Sequence, residues 1–305
     1  MRVYGFIKKR PYLFFLLPGF LLYSLVSIYS IVSAIPYSFT RWSGIKPPVF
    51  AGLDNYRKIF TDPVMSSQFF NALWNNVQLI FWGFLIMIPL SVLAAYLLFQ
   101  KVPGHKAMQL AAFSPYFINF VTAGFMVTLF FDPRIGLLSK AAGALGFSWN
   151  TAEFFSDTSY GIPYIMMVQI WKCLGYYVLL VYANFTSISQ EYVEAAVIDG
   201  ANRWQVFRRI YFPLLKPSLV NICILHYIWG VSAFEIPYML GGETGGINGN
   251  MDVVGIFFYR TAFSPNNIDN AMGLGTTVAT IIFFLVLLGA LIQLKLLGAG
   301  DMSDE

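Results

Sequence analysis

Six long apolar stretches constrain this chain more than any other feature. A helix needs roughly 20 residues to cross the hydrocarbon of a bilayer. Stretches of this length lie near residues 13–36, 76–99, 108–131, 161–183, 218–240 and 275–297. They are continuously apolar and do not alternate with a period of two, which favours helices over a β-barrel. We therefore expect an all-α integral membrane protein with six transmembrane helices.

Composition and charge agree with this fold class and suggest an orientation. The chain is 57% hydrophobic and 11% charged, with a mean hydropathy of +0.64, which is far from the soluble average. If the N-terminus is cytoplasmic, eleven of the nineteen Lys and Arg residues fall on the cytoplasmic side, including the short loop 101–106. The positive-inside rule therefore predicts that both termini are cytoplasmic.

The residue types needed for several kinds of site are missing from this sequence. The two cysteines, Cys173 and Cys223, lie in predicted spans, and only His105 and His226 are available as histidines. This inventory predicts neither a disulfide framework nor a metal site. The sequence has no Walker-type phosphate loop and no recognisable nucleophile with a base. We expect no catalytic residues and no cofactor in this chain, so any nucleotide energy must come from another chain.

A polar segment between the fourth and fifth predicted spans, residues 190–217, is called the elbow here. Its pattern predicts a helix, a sharp bend at Gly200, and a second helix capped by Asn202. Pro213 and Pro217 are expected to end the second helix before the next span begins. The predicted topology places this helix–turn–helix on the cytoplasmic side.

The elbow resembles the EAA motif of binding-protein-dependent ABC importer permeases. The match comprises Glu194, Ala195, Ala196, Asp199, Gly200, Ala201, Phe207, Ile210, Pro213 and Pro217. In that family the motif forms the coupling helix, which docks into a cleft of a separate ATPase subunit. The resemblance implies that residues 1–305 form a single importer transmembrane domain. It also implies that ATPase coupling rests on Glu194, Ala195, Ala196, Asp199, Gly200, Ala201, Phe207 and Pro213.

Other short matches look like the carbohydrate branch of that family, specifically the maltose-type F subunit. They include Arg10-Pro11-Tyr12, Gly52-Leu53-Asp54-Asn55-Tyr56 and Trp171-Lys172. The implied partners are a G-type second permease forming a heterodimer, an ATP-binding subunit dimer that carries ATP and Mg, and an extracytoplasmic solute-binding protein. The implied location is the bacterial cell membrane. Two departures are a Gly-Gly-Glu-Thr-Gly-Gly outer loop and Ser189, where a proline commonly precedes the EAA helix.

A charged residue inside the fourth predicted span points to a transport site. Lys172 near the middle of a span costs on the order of 3 kcal/mol unless it faces protein or water. Polar and aromatic residues at comparable depth would suit a carbohydrate, whose C–H faces bind aromatic rings and whose hydroxyls bind polar groups. The predicted substrate-binding residues are Tyr116, Asn119, Gln169, Lys172, Tyr176, His226 and Trp229.

Each of these residues also has a structural alternative. Tyr116, His226 and Trp229 could be packing residues, Asn119 could hydrogen-bond between helices, and Lys172 could pair with Glu235. The cargo is also open at this point: glycerol phosphate or another polar solute would use the Lys172 and His226 charges. A secondary transporter usually has more spans and inverted repeats, neither of which is visible.

Three connecting segments carry weaker patterns. Residues 51–60 are either an interfacial helix, with Tyr56 and Phe60 toward the headgroups, or an ordinary connector. Residues 137–145 have a short helical pattern, and the glycine-rich residues 241–246 are expected to form a flexible loop.

Overall fold

The structure is a computed structural model that describes residues 12–132, 136–145, 158–263 and 269–297. Helices account for nearly all of the described chain, as the sequence predicts. The N-terminal helices are α1 (12–38), α2 (Asp54–Thr61), α3 (Pro63–Phe99), α4 (His105–Phe113), α5 (Phe120–Phe131) and α6 (Leu137–Ala144). The C-terminal helices are α7 (Gly161–Ser187), α8 (Gln190–Ile198), α9 (203–231), α10 (Glu235–Gly241), α11 (Val254–Phe263) and α12 (Ala271–Leu297). The strands β1 (Thr40–Arg41) and β2 (Val49–Phe50) pair antiparallel.

The described residues contain five helices that are long and apolar enough to span a membrane, and a bent pair that can be counted as a sixth. The bent pair corresponds to the predicted third span, which the sequence treats as one helix over 108–131. Instead, α4 continues as a 3₁₀ turn over Ser114–Phe117 and ends there, and α5 starts again at a bend of 108°. Pro115 within this span is compatible with a kink, and the structure shows a complete break there instead.

Two other spans begin well before the predicted residues. Helix α3 starts at Pro63, not near residue 76, and includes the polar residues Asn71, Asn75 and Asn76. Helix α9 starts in the elbow and runs without a break through Pro213 and Pro217 to Val231. The prediction that these prolines end the second elbow helix was wrong.

A π turn in each of these helices accounts for a tolerated proline. The π turn Gly83–Met87 lies two residues before Pro89, and the π turn Phe207–Tyr211 lies two residues before Pro213. A proline ring in a helix collides with the carbonyl four residues earlier. In both helices that carbonyl belongs to the π turn, whose extra residue displaces it and lets the helix continue.

The chain divides into two compact units, and the first is formed by the described residues of 1–66 and 258–283. Its centre is the amide of Asn55, which is 2% exposed. Asn55 Nδ2 donates to the carbonyls of Ser38 (3.0 Å) and Thr40 (2.8 Å) and its Oδ1 accepts from Asn270 Nδ2 (2.8 Å). The Tyr56 hydroxyl shares a 2.7 Å hydrogen bond with Ser38 Oγ, so Tyr56 is held by α1. Tyr56 therefore packs within the protein, as expected for an ordinary connector and not for an interfacial helix with Tyr56 toward the headgroups. The segment itself is helical.

The second unit contains the remaining described residues, 67–257 and 284–297. One apolar cluster joins α3, α7 and α9 near the elbow, around Tyr177, Phe185 and Tyr211. A second cluster lies toward the other end of α7, around Tyr164, Ile165 and Ile236. The single-domain assignment from the sequence stays a prediction.

The glycine-rich loop after α10 is hydrogen-bonded, contrary to the expectation of a flexible loop. The N–H of Gly246 donates to the carbonyl of Gly241 (2.7 Å), and the N–H of Met251 donates to the carbonyl of Gly245 (2.8 Å). Helix α3 also binds the end of this loop, because Asn75 Nδ2 donates to the carbonyls of Gly249 (3.0 Å) and Asp252 (2.8 Å). The polar residues that lengthen α3 thus hold the backbone at the end of this loop, beside the buried side chain of Met251.

Candidate coupling segment and transport site

The first bend of the elbow is a Schellman motif built on Gly200. Gly200 has φ +84°, its N–H donates to the carbonyl of Val197 (3.0 Å), and the N–H of Ala201 donates to the carbonyl of Ala196 (2.9 Å). These two bonds satisfy carbonyls that the end of α8 would leave unpaired. The predicted helix stop at Gly200 is confirmed, and its left-handed backbone explains why glycine is suited to this position.

The second elbow helix begins with a capping box. Asn202 Oδ1 accepts from the N–H of Gln205 (2.9 Å), and Gln205 Oε1 accepts from the N–H of Asn202 (2.8 Å). At the other end of the elbow, Ser189 Oγ accepts from the N–H of Glu191 (3.3 Å) and caps α8. The serine that departs from the family pattern therefore has a capping role of its own. Only Ala201 stands between the Schellman glycine and the Asn202 cap, so the bend is closely bonded on both sides.

Helix α8 presents one of its faces to the surroundings of this chain. Glu191, Glu194, Ala195 and Ile198 share that face at helical spacing, and all four are exposed, Ile198 by 85%. Ala196 lies elsewhere on the helix and packs against the apolar cluster of α3, α7 and α9. The exposed face combines two carboxylates with a large apolar side chain.

The remaining predicted coupling residues divide between this surface and the core. Asp199 and Pro213 are exposed, whereas Phe207 is half-buried and stacks on Trp204 with ring centroids 5.8 Å apart. Phe207 also meets Tyr96 of α3 edge-on at 5.0 Å. Phe207 thus fastens the elbow to α3, which is a structural function.

Lys172 lies at the break between α4 and α5. The side chain is only 2% exposed, and Nζ donates to the carbonyl of Tyr116 (2.7 Å) in the 3₁₀ turn that ends α4. Nζ also lies 4.6 Å from the ring centroid of Phe120 and 5.1 Å from that of Tyr116. A carbonyl at a helix end and two ring faces offset the cost of burying the charge. No ion pair joins Lys172 to Glu235.

Five rings contact one another in a line, which is called the aromatic chain here: Tyr116, Tyr176, Tyr177, His226 and Trp229. All of them except Tyr177 are among the seven predicted substrate-binding residues. Tyr116 stacks on Tyr176 (5.3 Å, 14°), and Tyr176 meets Tyr177 edge-on (5.8 Å). Tyr177 contacts His226 (6.1 Å), which in turn contacts Trp229 (6.2 Å). The aromatic chain extends from the break after α4, across α7, to α9. Tyr116 is 40% exposed and begins this line at its accessible end.

His226 is the most enclosed of these residues, with no exposed surface. Its Nδ1 lies 3.4 Å from the Tyr177 hydroxyl, and its ring packs beside Gly83 at the start of the α3 π turn. A Cβ atom on Gly83 would overlap the imidazole. The geometry supports the packing alternative for His226.

The other two predicted residues occupy different environments. Asn119 is exposed and caps α5, since its Oδ1 accepts from the N–H of Val121 (2.8 Å). Gln169 is 1% exposed, and its Oε1 has no hydrogen-bond partner among the described residues. Gln169 stands three residues, or about one helical turn, before Lys172 on α7.

Sequence reasoning missed two residues that complete this site. Tyr177 links Tyr176 to His226, and Phe120 places its ring beneath the Lys172 ammonium. Phe120 could have been found from its position directly after the Asn119 cap. Tyr177 had no such signal, because neighbouring residues on a helix point in different directions and only Tyr176 falls on the face of Lys172.

Comparison with known proteins identifies the family to which this chain belongs. Residues 15–297 match the family described as "Binding-protein-dependent transport system inner membrane component". The chain belongs to this family. The permease is therefore a multi-pass membrane protein. Membership of a binding-protein-dependent family, and not the number of spans, argues against the secondary-transporter alternative.

Relatives of this permease include sugar transport proteins. It is 30% identical over 284 residues to a probable ABC transporter permease protein of Pyrococcus horikoshii, covering 91% of this chain and 92% of that one. It is also 30% identical over 296 residues to the arabinooligosaccharides transport system permease protein AraP of Bacillus subtilis, covering 96% and 90%. The resemblance to sugar ABC transporter permeases is confirmed.

The fold has a counterpart among solved structures. A chain of a bacterial alginate ABC transporter, solved in complex with an alginate pentasaccharide-bound periplasmic protein, superposes with a TM-score of 0.78. The two chains are 22% identical, and the superposition covers 97% of the permease and 99% of that chain. This likeness confirms the permease fold.

Proposed function

We propose that this chain is the membrane-spanning subunit of an ATP-driven importer for an oligosaccharide, coupled to a separate ATPase through the elbow. One observation carries the proposal: α8 exposes Glu191, Glu194, Ala195 and Ile198 on a bend whose two sides are hydrogen-bonded. A carboxylate on such a surface is a natural partner for a basic residue of an ATPase. Because the bend at Gly200 is hydrogen-bonded on both sides, little of the energy transmitted from the ATPase would be lost in deforming the elbow.

The proposed partners follow from the family. They are a second permease subunit forming a heterodimer, a dimer of ATP-binding subunits holding ATP and Mg, and an extracytoplasmic binding protein. This chain would contribute neither nucleotide chemistry nor a metal site, and both termini would lie in the cytoplasm. The solved alginate transporter, with its periplasmic protein bound, supports the binding-protein partner.

The cargo proposal rests on the aromatic chain and on AraP. Aromatic faces bind the C–H surfaces of sugars, and Tyr116 with the half-buried Tyr176 and Trp229 supplies rings along one line. The glycerol phosphate alternative needs cationic groups for the phosphate. Because Lys172 donates to a carbonyl and His226 is enclosed, the structure gives that alternative less support.

The test is reconstitution of the complete transporter in vesicles with its binding protein. ATP-dependent uptake is measured for a labelled arabino-oligosaccharide, a malto-oligosaccharide and glycerol phosphate. We expect uptake of one of the oligosaccharides and none of glycerol phosphate. Uptake of glycerol phosphate alone would overturn the cargo proposal, and uptake that continues without the ATPase subunit would overturn the coupling proposal.

The role of the exposed α8 face is tested with Glu194→Lys and the neutral control Glu194→Gln in the same vesicles. Charge reversal should abolish uptake, whereas the neutral variant should keep part of it, because size is retained and only the attraction is lost. Full uptake by Glu194→Lys would show that this face does not carry the coupling.

A further inference from the structure

Two adjoining cavities lie where the elbow meets the end of α3. One has a volume of about 750 Å³ and is lined mostly by aliphatic and aromatic side chains of α3 and α9, including Leu93, Phe207 and Leu219. The other has a volume of about 600 Å³ and reaches the end of α7, the elbow and the α3–α4 loop. Tyr96, Gln100 and Arg203 line both cavities, so the two adjoin. Together they form an amphipathic site.

The second cavity is cationic. Lys101 and Arg203 line it, together with the hydroxyl-bearing residues Tyr182 and Thr186. Among the described residues that line either cavity, none is acidic. The Thr186 hydroxyl already donates to the carbonyl of Ala183 (2.8 Å). Two positive charges beside the Tyr182 hydroxyl suit a phosphate group, and the adjoining apolar cavity suits a hydrocarbon chain.

Lys101 occupies a position that usually belongs to glycine. Its φ is +49°, its N–H donates to the carbonyl of Leu98 (3.0 Å), and the N–H of Val102 donates to the carbonyl of Leu97 (3.4 Å). This is the same Schellman arrangement that Gly200 makes, but with a side chain at the left-handed residue. The backbone favours glycine at this position, yet the chain places a cation there, at the rim of the cationic cavity.

The site also lies at the right depth for a lipid. The apolar cavity follows the last turns of the membrane-spanning helix α3, and the cationic cavity continues beyond the end of that helix into the elbow. A molecule that fills both must therefore have an apolar part in the hydrocarbon and an anionic part at its boundary.

We propose that this site binds one anionic phospholipid, with its phosphate between Lys101 and Arg203 and an acyl chain along Leu93 and Phe207. On α8 the residues lining the cationic cavity are Gln190, Val193 and Val197, whereas Glu191, Ala195 and Ile198 do not line it. Gln190 and Val197 are neighbours of Glu194 at helical spacing, and Ala201 also lines the cavity, so the lipid site borders the proposed ATPase surface. A bound lipid would also contact residues of both the elbow and α3, and would therefore link these two segments.

The test is native mass spectrometry of the full-length permease, purified in its complex, after equilibration with equal amounts of phosphatidylglycerol and phosphatidylcholine. Lys101→Gly removes one cation and relaxes the backbone at the same time, so a folding defect is not expected. Arg203→Gln removes the other cation and leaves the Asn202–Gln205 capping box in place. The matched control is Arg208→Gln, which removes an exposed cation of α9 that lines neither cavity.

Wild type and Arg208→Gln should retain phosphatidylglycerol in preference to phosphatidylcholine. Each of the two site variants should lower that preference about fivefold, the usual effect of one cation on an anionic lipid. Equal retention of the two lipids by wild type, or an unchanged preference in both site variants, would overturn the proposal. Displacement of phosphatidylglycerol by millimolar inorganic phosphate would also overturn it, by showing a site for a free anion.

A second measurement places the lipid in the apolar cavity, which Trp204 lines. Acyl-brominated phosphatidylglycerol should quench wild-type fluorescence more than that of Trp204→Phe, because bromine in the cavity lies next to the indole. Acyl-brominated phosphatidylcholine should show a smaller difference between the two proteins. Equal quenching of wild type and Trp204→Phe by the anionic lipid would exclude this position for its acyl chain.

Discussion

The imidazole of His226 occupies the space that a Cβ atom on Gly83 would need. Gly83 begins the π turn of α3, and His226 lies five residues before the end of α9 at Val231, so this contact fixes the distance between the two helices at one point. The contact requires glycine because of a neighbouring side chain and not because of the backbone conformation.

Substitution of Gly83 by Ala should therefore lower the free energy of unfolding by about 1–3 kcal/mol, the usual cost of overpacking a core. In a Gly83→Ala, His226→Ala double variant, the loss should be smaller than the sum of the two single losses, since the overlap is removed. Chemical unfolding in detergent measures all three. Gly19→Ala is the control, because nothing lies within 4 Å of a Cβ there. Additive losses would contradict this interpretation.

Gly200 gives a prediction about backbone conformation alone. A Cβ atom on Gly200 would meet nothing within 4 Å, but the φ of +84° is unfavourable for other residues. Gly200→Asn should keep the bend, because Asn tolerates this conformation, whereas Gly200→Pro cannot adopt it. We expect membrane insertion of both variants, near-normal coupling for Asn, and ATP hydrolysis without uptake for Pro. Unchanged uptake by Gly200→Pro would show that the bend is dispensable.

Measurements of both stability and uptake can distinguish a structural role of Lys172 from a role in substrate binding. Lys172→Met should lower the unfolding free energy by about 1.5–3 kcal/mol, because a charge-assisted hydrogen bond to the Tyr116 carbonyl is lost. Gln169→Ala removes the neighbouring amide and makes no change at that carbonyl. If the pair lines the cargo path, Lys172→Met with Gln169→Ala should also weaken the apparent affinity for sugar. Uptake with unaltered affinity and rate would show that neither residue contacts the cargo.

Asn119 offers a similar distinction at the start of α5. Asn119→Ser should retain the cap on the N–H of Val121, whereas Asn119→Ala should cost about 1 kcal/mol of stability. A purely structural role predicts that the serine variant transports normally. A role in sugar binding predicts that both variants raise the half-saturating sugar concentration. Uptake kinetics and thermal unfolding of the two variants together decide between the roles.

The sequence predicted the helical fold because continuous apolar runs have few alternatives in a bilayer. It did not predict the break at Tyr116, since Pro115 within a span is compatible with either a kink or a complete stop. The buried cation that completes the break comes from α7, far away in the sequence. The early start of α3 was missed because Asn75 and Asn76 lower the local hydropathy. Both side chains bind distant backbone: Asn75 donates to the carbonyl of Gly249 in a loop, and Asn76 donates to the carbonyl of Gly230 in α9.

Within the site, the sequence predicted features that depend on neighbouring residues, but not features that depend on contacts between distant parts of the chain. The stop at Gly200 and the cap at Asn202 depend on a few neighbouring residues and were predicted correctly. The continuation of α9 past Pro213 depends on a π turn, which has no reliable sequence pattern. The enclosure of His226 depends on a glycine of another helix, so spacing along α9 could not reveal it.

The unbroken course of α9 has a mechanical consequence. From Arg203 to Trp229 the helix rises roughly 39 Å at 1.5 Å per residue. If it moves as a rod pivoting at the elbow, a tilt of about 5° displaces Trp229 by about 3 Å. A small rotation at the elbow is thus amplified by leverage into a larger movement of His226 and Trp229 together, relative to the ring of Tyr177 on α7.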